Sequence, residues 1–424
     1  MAGLTQNYTT PFALTMKATT TQIGLLSSIP NLAMSLAQLL APGLSQRMRS
    51  RKGFILPMVF LHALMWLPIL LIPYIFHNHQ VMSLIAFLTM STVFDSISNP
   101  AWGSMMADLL SPESRGRFFS SRNRITGLIA MIFSYVAGGI LQLLTGNTDL
   151  GFSIIFAVAL VFRLVSLYFL YRMYEPLQPT ISTQHVSLLT ISRRAFSSNV
   201  GRAIIFCGFL SFSTNLAAPF FSPYMLRELK FSYLTYTIVN SASALATLGF
   251  MTYWGTRSDK AGTVKVIKTS MLLIPFVPIA WLISSNVYWI ILVQVFSGFA
   301  WAGFSLSSTI FIFDASPQND RTRYIALFNA MMFGGVFLGA LVGGVLTPLL
   351  PQIKHSQFLT IFLVSGVARM IVGIILLPRV SEVRDVPKMS TGQFLFGGLE
   401  LAKIKGLPHS ISQQISRLKN RRHT

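Results

Sequence analysis

The chain has 424 residues, 52% hydrophobic and only 11% charged, with 33 Lys and Arg against 12 Asp and Glu and a formal net charge of +21. Soluble domains carry about 25% charge because their surface meets water, so most of this surface must meet something apolar, and a bilayer fits. The bases lie in gaps between apolar runs rather than on one soluble face, which excludes a nucleic-acid partner.

Crossing a bilayer as a helix takes about 20 mostly apolar residues. Runs of that length predict spans over 2–18, 21–45, 53–76, 80–108, 124–145 and 151–172. After a longer gap they resume over 203–226, 231–255, 264–284, 287–315, 323–348 and 357–379. The reading is an all-α polytopic membrane protein: an N-terminal six-helix bundle over 1–172, a linker over 173–202, a C-terminal six-helix bundle over 203–379 and a basic tail over 380–424. The loops after helices 2, 4, 6, 8 and 10 hold 17 Lys and Arg, whereas the opposite loops hold only Lys17, Arg227, Lys230 and Lys354. Bases stay on the cytoplasmic side, which puts the linker and the C-terminus there and the protein in the plasma membrane. The tail, with Lys403, Lys405, Arg417, Lys419, Arg421 and Arg422, is expected to rest on anionic lipid. Linker residues 185–195 are expected to form a short interfacial helix. The opening stretch, spotted with Gln6, Asn7 and two Thr pairs, lacks the pattern of a cleavable signal peptide. The one cysteine, Cys207, lies in an apolar run, so there is no disulfide framework.

The two halves repeat one pattern. Asp108, Arg115, Arg117, Phe118 and Asn123 follow helix 4; Asp314, Arg321, Arg323, Tyr324 and Asn329 follow helix 10, each 206 residues later. Arg163 in helix 6 and Arg369 in helix 12 keep the same offset, and Asn7, Pro11 and Phe12 match Asn215, Pro219 and Phe220 at 208. Parallel repeats of this kind put a binding site between the halves near the midplane. Met1 aligns with Phe209 although helix 7 begins near Arg202, so helix 1 is read as truncated at its N-terminus.

The loop after helix 8 reads Gly255, Thr256, Arg257, Ser258, Asp259, Lys260, Ala261, Gly262. With its glycines, acid and base it resembles the loop signature of the major facilitator superfamily. The first-half copy is degraded, with Gln46 in place of the acid. Pro100-Ala101-Trp102 through Arg115-Gly116-Arg117-Phe118-Phe119 is similar to a prokaryotic branch of that superfamily. The resemblance implies a major-facilitator-type fold of two pseudo-symmetric six-helix bundles and a secondary transporter that works by alternating access. It implies a small-molecule substrate, coupling to protons, no cofactor and a monomer in the bilayer. In that fold helices 1, 4, 7 and 10 line the cavity.

Ionisable residues inside a span are costly and usually functional. Asp95 sits midway along helix 4, on one face with Ser91, Asn99 and Trp102; helix 10 offers Gln294 and Trp301, helix 1 Gln6 and Asn7, and helix 7 Asn215. Facing one another, these residues would suit a small polar or cationic organic solute or a proton. Arg163 and Arg369, being repeated, are read as structural, and His62 as packing. Asp108 with Arg115 and Arg117, Asp314 with Arg321 and Arg323, and Asp259 with Lys260 are read as a charged gate at the cytoplasmic helix ends, with static helix capping as the alternative. Gly335, Gly339, Gly343 and Gly344 in helix 11 are read as a packing stripe. His77 and His79 are read as a chance pair rather than a metal site, and no catalytic cluster stands out, so the protein is not read as an enzyme. The rival reading is a non-transporting receptor or scaffold that keeps the fold.

Overall fold

The computed structural model describes residues 1–46, 50–76, 78–109, 112–175, 198–316, 321–384 and 386. Most of the linker, including 185–195, and the tail beyond 386 lie outside them, as does His77. The side chains of Gln46, Asp108, Arg115, Arg117, Arg321 and Arg323 also fall outside the description.

Twelve helices follow in order. α1 is broken into Ala2–Thr5 and Thr9–Thr15; α2 is Thr20–Gln46; α3 is Arg51–Leu64 and Trp66–Ile75; α4 is Gln80–Leu109; α5 is Pro112–Leu143; α6 is Thr148–Arg172. In the second half α7 is Asn199–Asn215, extended by short turns to Glu228; α8 is Tyr233–Ala261; α9 is Thr263–Leu273 and Phe276–Ala280; α10 is Val287–Ala315; α11 is Arg321–Leu346; α12 is Gln357–Leu376. All twelve predicted spans are matched by these helices. Among the described residues nine helices are long and apolar enough to cross a membrane. Helix starts are set by residues that satisfy otherwise unpaired amides: Ser50, Asn147, Ser198, Ser232, Asn286 and Ser356 each accept a bond from an amide of the first turn.

Proline breaks leave carbonyls that the fold reuses. Pro11 has no N–H for the carbonyl of Asn7, and the Tyr236 hydroxyl of the other half donates to that oxygen at 2.9 Å. Pro278 likewise has no N–H for the Ile274 carbonyl, which accepts from the Val277 amide at 3.3 Å and has Arg369 Nη1 3.3 Å away.

The repeat extends to the core. Phe12 packs on Phe152 and Phe156 at centroid distances of 5.0 and 5.1 Å. Their counterparts in the second half, Phe220, Phe358 and Phe362, form a similar aromatic layer with Phe221 and Trp281. All six matched rings are buried.

The halves meet at the end with few bases. Tyr8 and Thr237 hydroxyls are 2.6 Å apart, Thr21 Oγ1 donates to the Gly344 carbonyl at 3.1 Å, and Arg227 donates to the carbonyl of Ala18. α2 presses so closely on α11 that any Cβ at Gly24 would overlap the Ala340 carbonyl and the Gly344 backbone. The remaining stripe glycines, Gly335, Gly339 and Gly343, sit against the carbonyls of Gly208, Phe212 and Leu216 on α7. Small residues permit this approach in lipid, and packing accounts for the whole stripe.

Candidate binding site and its ion pair

Asp95 lies midway along α4, and helical spacing sets Ser91 and Asn99 one turn to either side. Its Oδ1 accepts from Arg163 Nη2 at 2.6 Å and lies 3.3 Å from His62 Nδ1. Asn99 Nδ2 donates to Oδ2 at 3.2 Å. Three elements therefore converge on one carboxylate: α3, α4 and α6. Arg163, expected as a structural repeat, and His62, expected as packing, both contact the one acid set deep in a span. Spacing along single helices carried no sign of this meeting.

The group is not sealed. The Asp95 side chain is 40% exposed and that of Arg163 20%. The exposure is to a cavity of about 530 Å³ lined by Thr5, Gln6, Asn31, Trp66, Ser91 and Thr92 besides the charged pair. A second cavity of about 290 Å³ lies on the other side of the pair, with Ser98, Asn99, Trp102, Arg122 and Ser166 in its wall. The Arg122 guanidinium sits 4.5 Å from the Trp102 ring centre, a cation–π arrangement.

Of the residues expected here, Gln6 lines the larger cavity, while Asn99 and Trp102 line the smaller. Asn7 reaches Ser134 Oγ at 3.4 Å. Asn215, Gln294 and Trp301 line neither cavity. Asn215 Nδ2 is occupied by the Ser211 carbonyl of its own helix at 2.9 Å, and Trp301 packs edge-on against Phe304. Both cavities are walls of the first half.

Arg369 has a different setting. It is 2% exposed and contacts Ser365 Oγ at 3.2 Å, the Ile274 carbonyl at 3.3 Å and the Thr214 carbonyl at 3.4 Å. All three are neutral oxygens, one on its own helix and two carbonyls at the breaks in α9 and α7, so this guanidinium bridges α12 to both broken helices.

At the base-rich end, Asp314 pairs with a residue that the sequence did not single out. Arg384 Nε lies 2.6 Å from Asp314 Oδ2, and Arg384 Nη1 lies 3.5 Å from Asp259 Oδ1. Its neighbour Glu382 accepts from the Val264 amide at 2.8 Å and holds Thr263 Oγ1. Gly262, at φ +88°, makes the whole turn between α8 and α9, and the Glu382 carboxylate fills the place a Cβ would take. Lys260 is exposed. In the first half Glu175 does the same for α3, accepting from Ser50 Oγ at 2.7 Å and the Lys52 amide at 3.2 Å. Glu175 and Glu382 are 207 residues apart, a signal the repeat contained.

Two repeated six-helix halves, sealed together at one end and holding a polar, charged cavity within the spans, define a membrane solute carrier. The family model of the Major Facilitator Superfamily matches residues 1–216 and again residues 203–422, once per half, and the chain belongs to that superfamily. Its members are transporters and not enzymes. No curated protein matches the chain in sequence. Among solved structures, a variant of the nucleoside transporter NupG is similar with a TM-score of 0.72 at 14% identity, covering 90% of this chain and 96% of that one. A D-xylose-proton symporter reaches 0.69 at 14% identity, covering 90% and 93%. The xylose transporter XylE from E. coli, in an inward open conformation, reaches 0.64 at 15% identity, covering 91% and 95%. At such identities the likeness is one of fold.

Proposed function

We propose that this superfamily member carries a small polar organic solute by alternating access and couples its movement to protons at Asp95. The observation behind this reading is the single carboxylate oxygen shared by Arg163 and His62 on a cavity wall. A carboxylate that can be protonated and a guanidinium beside it form a charge pair with two arrangements, paired while the carboxylate is ionised and released when it is protonated. The expected attraction for a cationic solute is weakened, because Arg163 already matches the charge of Asp95. Seals between the halves at the base-poor end, and the clamp of Arg384 on Asp259 and Asp314 at the other, would be the elements that open and close.

Reconstituted protein with an imposed pH gradient tests the reading. Asp95→Asn keeps the shape and removes the titrating charge, so it should abolish accumulation driven by the gradient while leaving solute exchange. Unchanged accumulation in a correctly inserted Asn variant would end it. The orientation, with linker and C-terminus cytoplasmic in the plasma membrane, is tested by single cysteines placed in 77–79 and 184–195. They should label from opposite sides.

A further inference from the structure

The repeat supplies an internal control for Arg163. At the matched position in α12, a guanidinium is held by neutral oxygens alone, packed away from any cavity described here. The fold therefore does not need an acid or an opening beside this arginine. Yet in the first half the residue 206 before Trp301 is Asp95, and the residue 206 before Ser365 is Ala159, which has no hydroxyl to offer. Arg163 has lost its neutral partners and gained one carboxylate and a cavity.

Two donors of the cavity wall also lack acceptors: Arg163 Nε and the indole Nε1 of Trp66 are buried without a partner. Gln6 lines the cavity too. The charged and titratable side chains that face Asp95 are Arg163 from α6, His62 from α3 and, through the smaller cavity, Arg122 from α5. All except Asp95 are basic.

We infer that the solute bears a carboxylate, and that this carboxylate replaces Asp95 on Arg163 when Asp95 takes up a proton. The inference rests on the function proposed above and adds the solute's chemical class. Arg163 Nη2 already holds a carboxylate at 2.6 Å, so the geometry for such a group exists. Protonation removes the charge of Asp95 and its claim on the guanidinium, leaving one cation for one anion. Proton and solute then load together, and release of the proton lets Asp95 expel the solute by competing for the same donor. No covalent bond changes.

The test uses purified full-length protein and a panel of small carboxylates, lactate, benzoate and glucuronate among them, each paired with its amide. Binding is read by thermal shift and tryptophan fluorescence at pH 8 and pH 5.5, where these probes remain ionised. Wild type should bind carboxylates about tenfold more tightly at the lower pH, a shift of about 1.4 kcal/mol. Asp95→Asn should bind them with the low-pH affinity at both values. Arg163→Gln alone strands a carboxylate and is prone to misfold, so the double variant Asp95→Asn, Arg163→Gln serves instead; it should elute as a single species and bind no carboxylate. Three results overturn the inference: no carboxylate bound by Asp95→Asn, amides bound as tightly as carboxylates, or binding retained by the double variant. Proton-driven flux of amides without carboxylate binding would overturn it while the proposed coupling stands. Carboxylate binding without proton-driven flux would remove the coupling and keep the site.

Discussion

The two arginines 206 residues apart, Arg163 and Arg369, hold matched positions of a repeat and have opposite surroundings. Arg369 is buried beside the Ile274 and Thr214 carbonyls, each of which accepts a backbone amide, and it adds a further donor to each. Arg163 faces a cavity and holds a group that titrates. The difference teaches that symmetry of sequence marks a shared scaffold position, not a shared duty. What differs is the set of partners: a carboxylate that also contacts His62 for Arg163, and the carbonyls of Ile274 and Thr214 with Ser365 of its own helix for Arg369.

The strongest way to break this comparison is to remove the acid. Asp95→Asn is expected to reduce pH-driven accumulation by at least about tenfold, whereas Trp301→Phe at the matched position leaves the pH dependence of flux unchanged. Equal loss of pH dependence in both variants would mean that the halves share the proton site.

Arg369→Gln should separate stability from transport. A buried guanidinium with three contacts is lost, for a cost of about 1–3 kcal/mol. Thermal unfolding in detergent should fall accordingly, with the pH dependence of flux intact in the fraction that survives. A changed pH profile would give Arg369 a part in coupling.

Arg384→Ala addresses the base-rich end, where the second half holds Asp259 and Asp314 together and the first half has Gln46 for its acid. An ion pair this exposed contributes about 1 kcal/mol or less, enough to shift the open and closed populations several-fold. Cysteine accessibility at the base-rich end should rise in the variant while melting stays nearly constant. No change in accessibility would reduce the clamp to decoration of a helix end.

The smallest effect is expected at the Glu175 and Glu382 caps. Burial raises the Glu175 carboxyl, but bonds from Ser50 Oγ and from the Lys52 and Arg51 amides outweigh it and hold it below the usual range. A depressed acid contributes stability above its unfolded pKa and loses it as pH falls through the folded value. Glu175→Gln should therefore cost a little stability near neutral pH and progressively less as acidification passes below the usual carboxylate range, as read by hydrogen exchange at the start of α3. A cost that does not shrink on acidification would assign the effect to shape rather than charge.

Much of this protein was legible in one dimension. Span length, basic gaps and the offset of 206 determined twelve helices, two halves and the candidate status of Asp95, because hydrocarbon thickness and backbone satisfaction act on each segment separately. Likewise, the glycine stripe of α11 announced close packing before its partner was known. Which residues meet across helices was not legible. Asp95 with Arg163 and His62, Arg384 across Asp259 and Asp314, and the Tyr236 hydroxyl on the carbonyl freed by Pro11 each join residues 33 to 229 positions apart. A hydropathy pattern fixes that a helix crosses the bilayer but leaves its rotation and neighbours open. Those were decided by tertiary packing, through glycine contacts, proline breaks and the need to pair every polar group that the bilayer would otherwise strand.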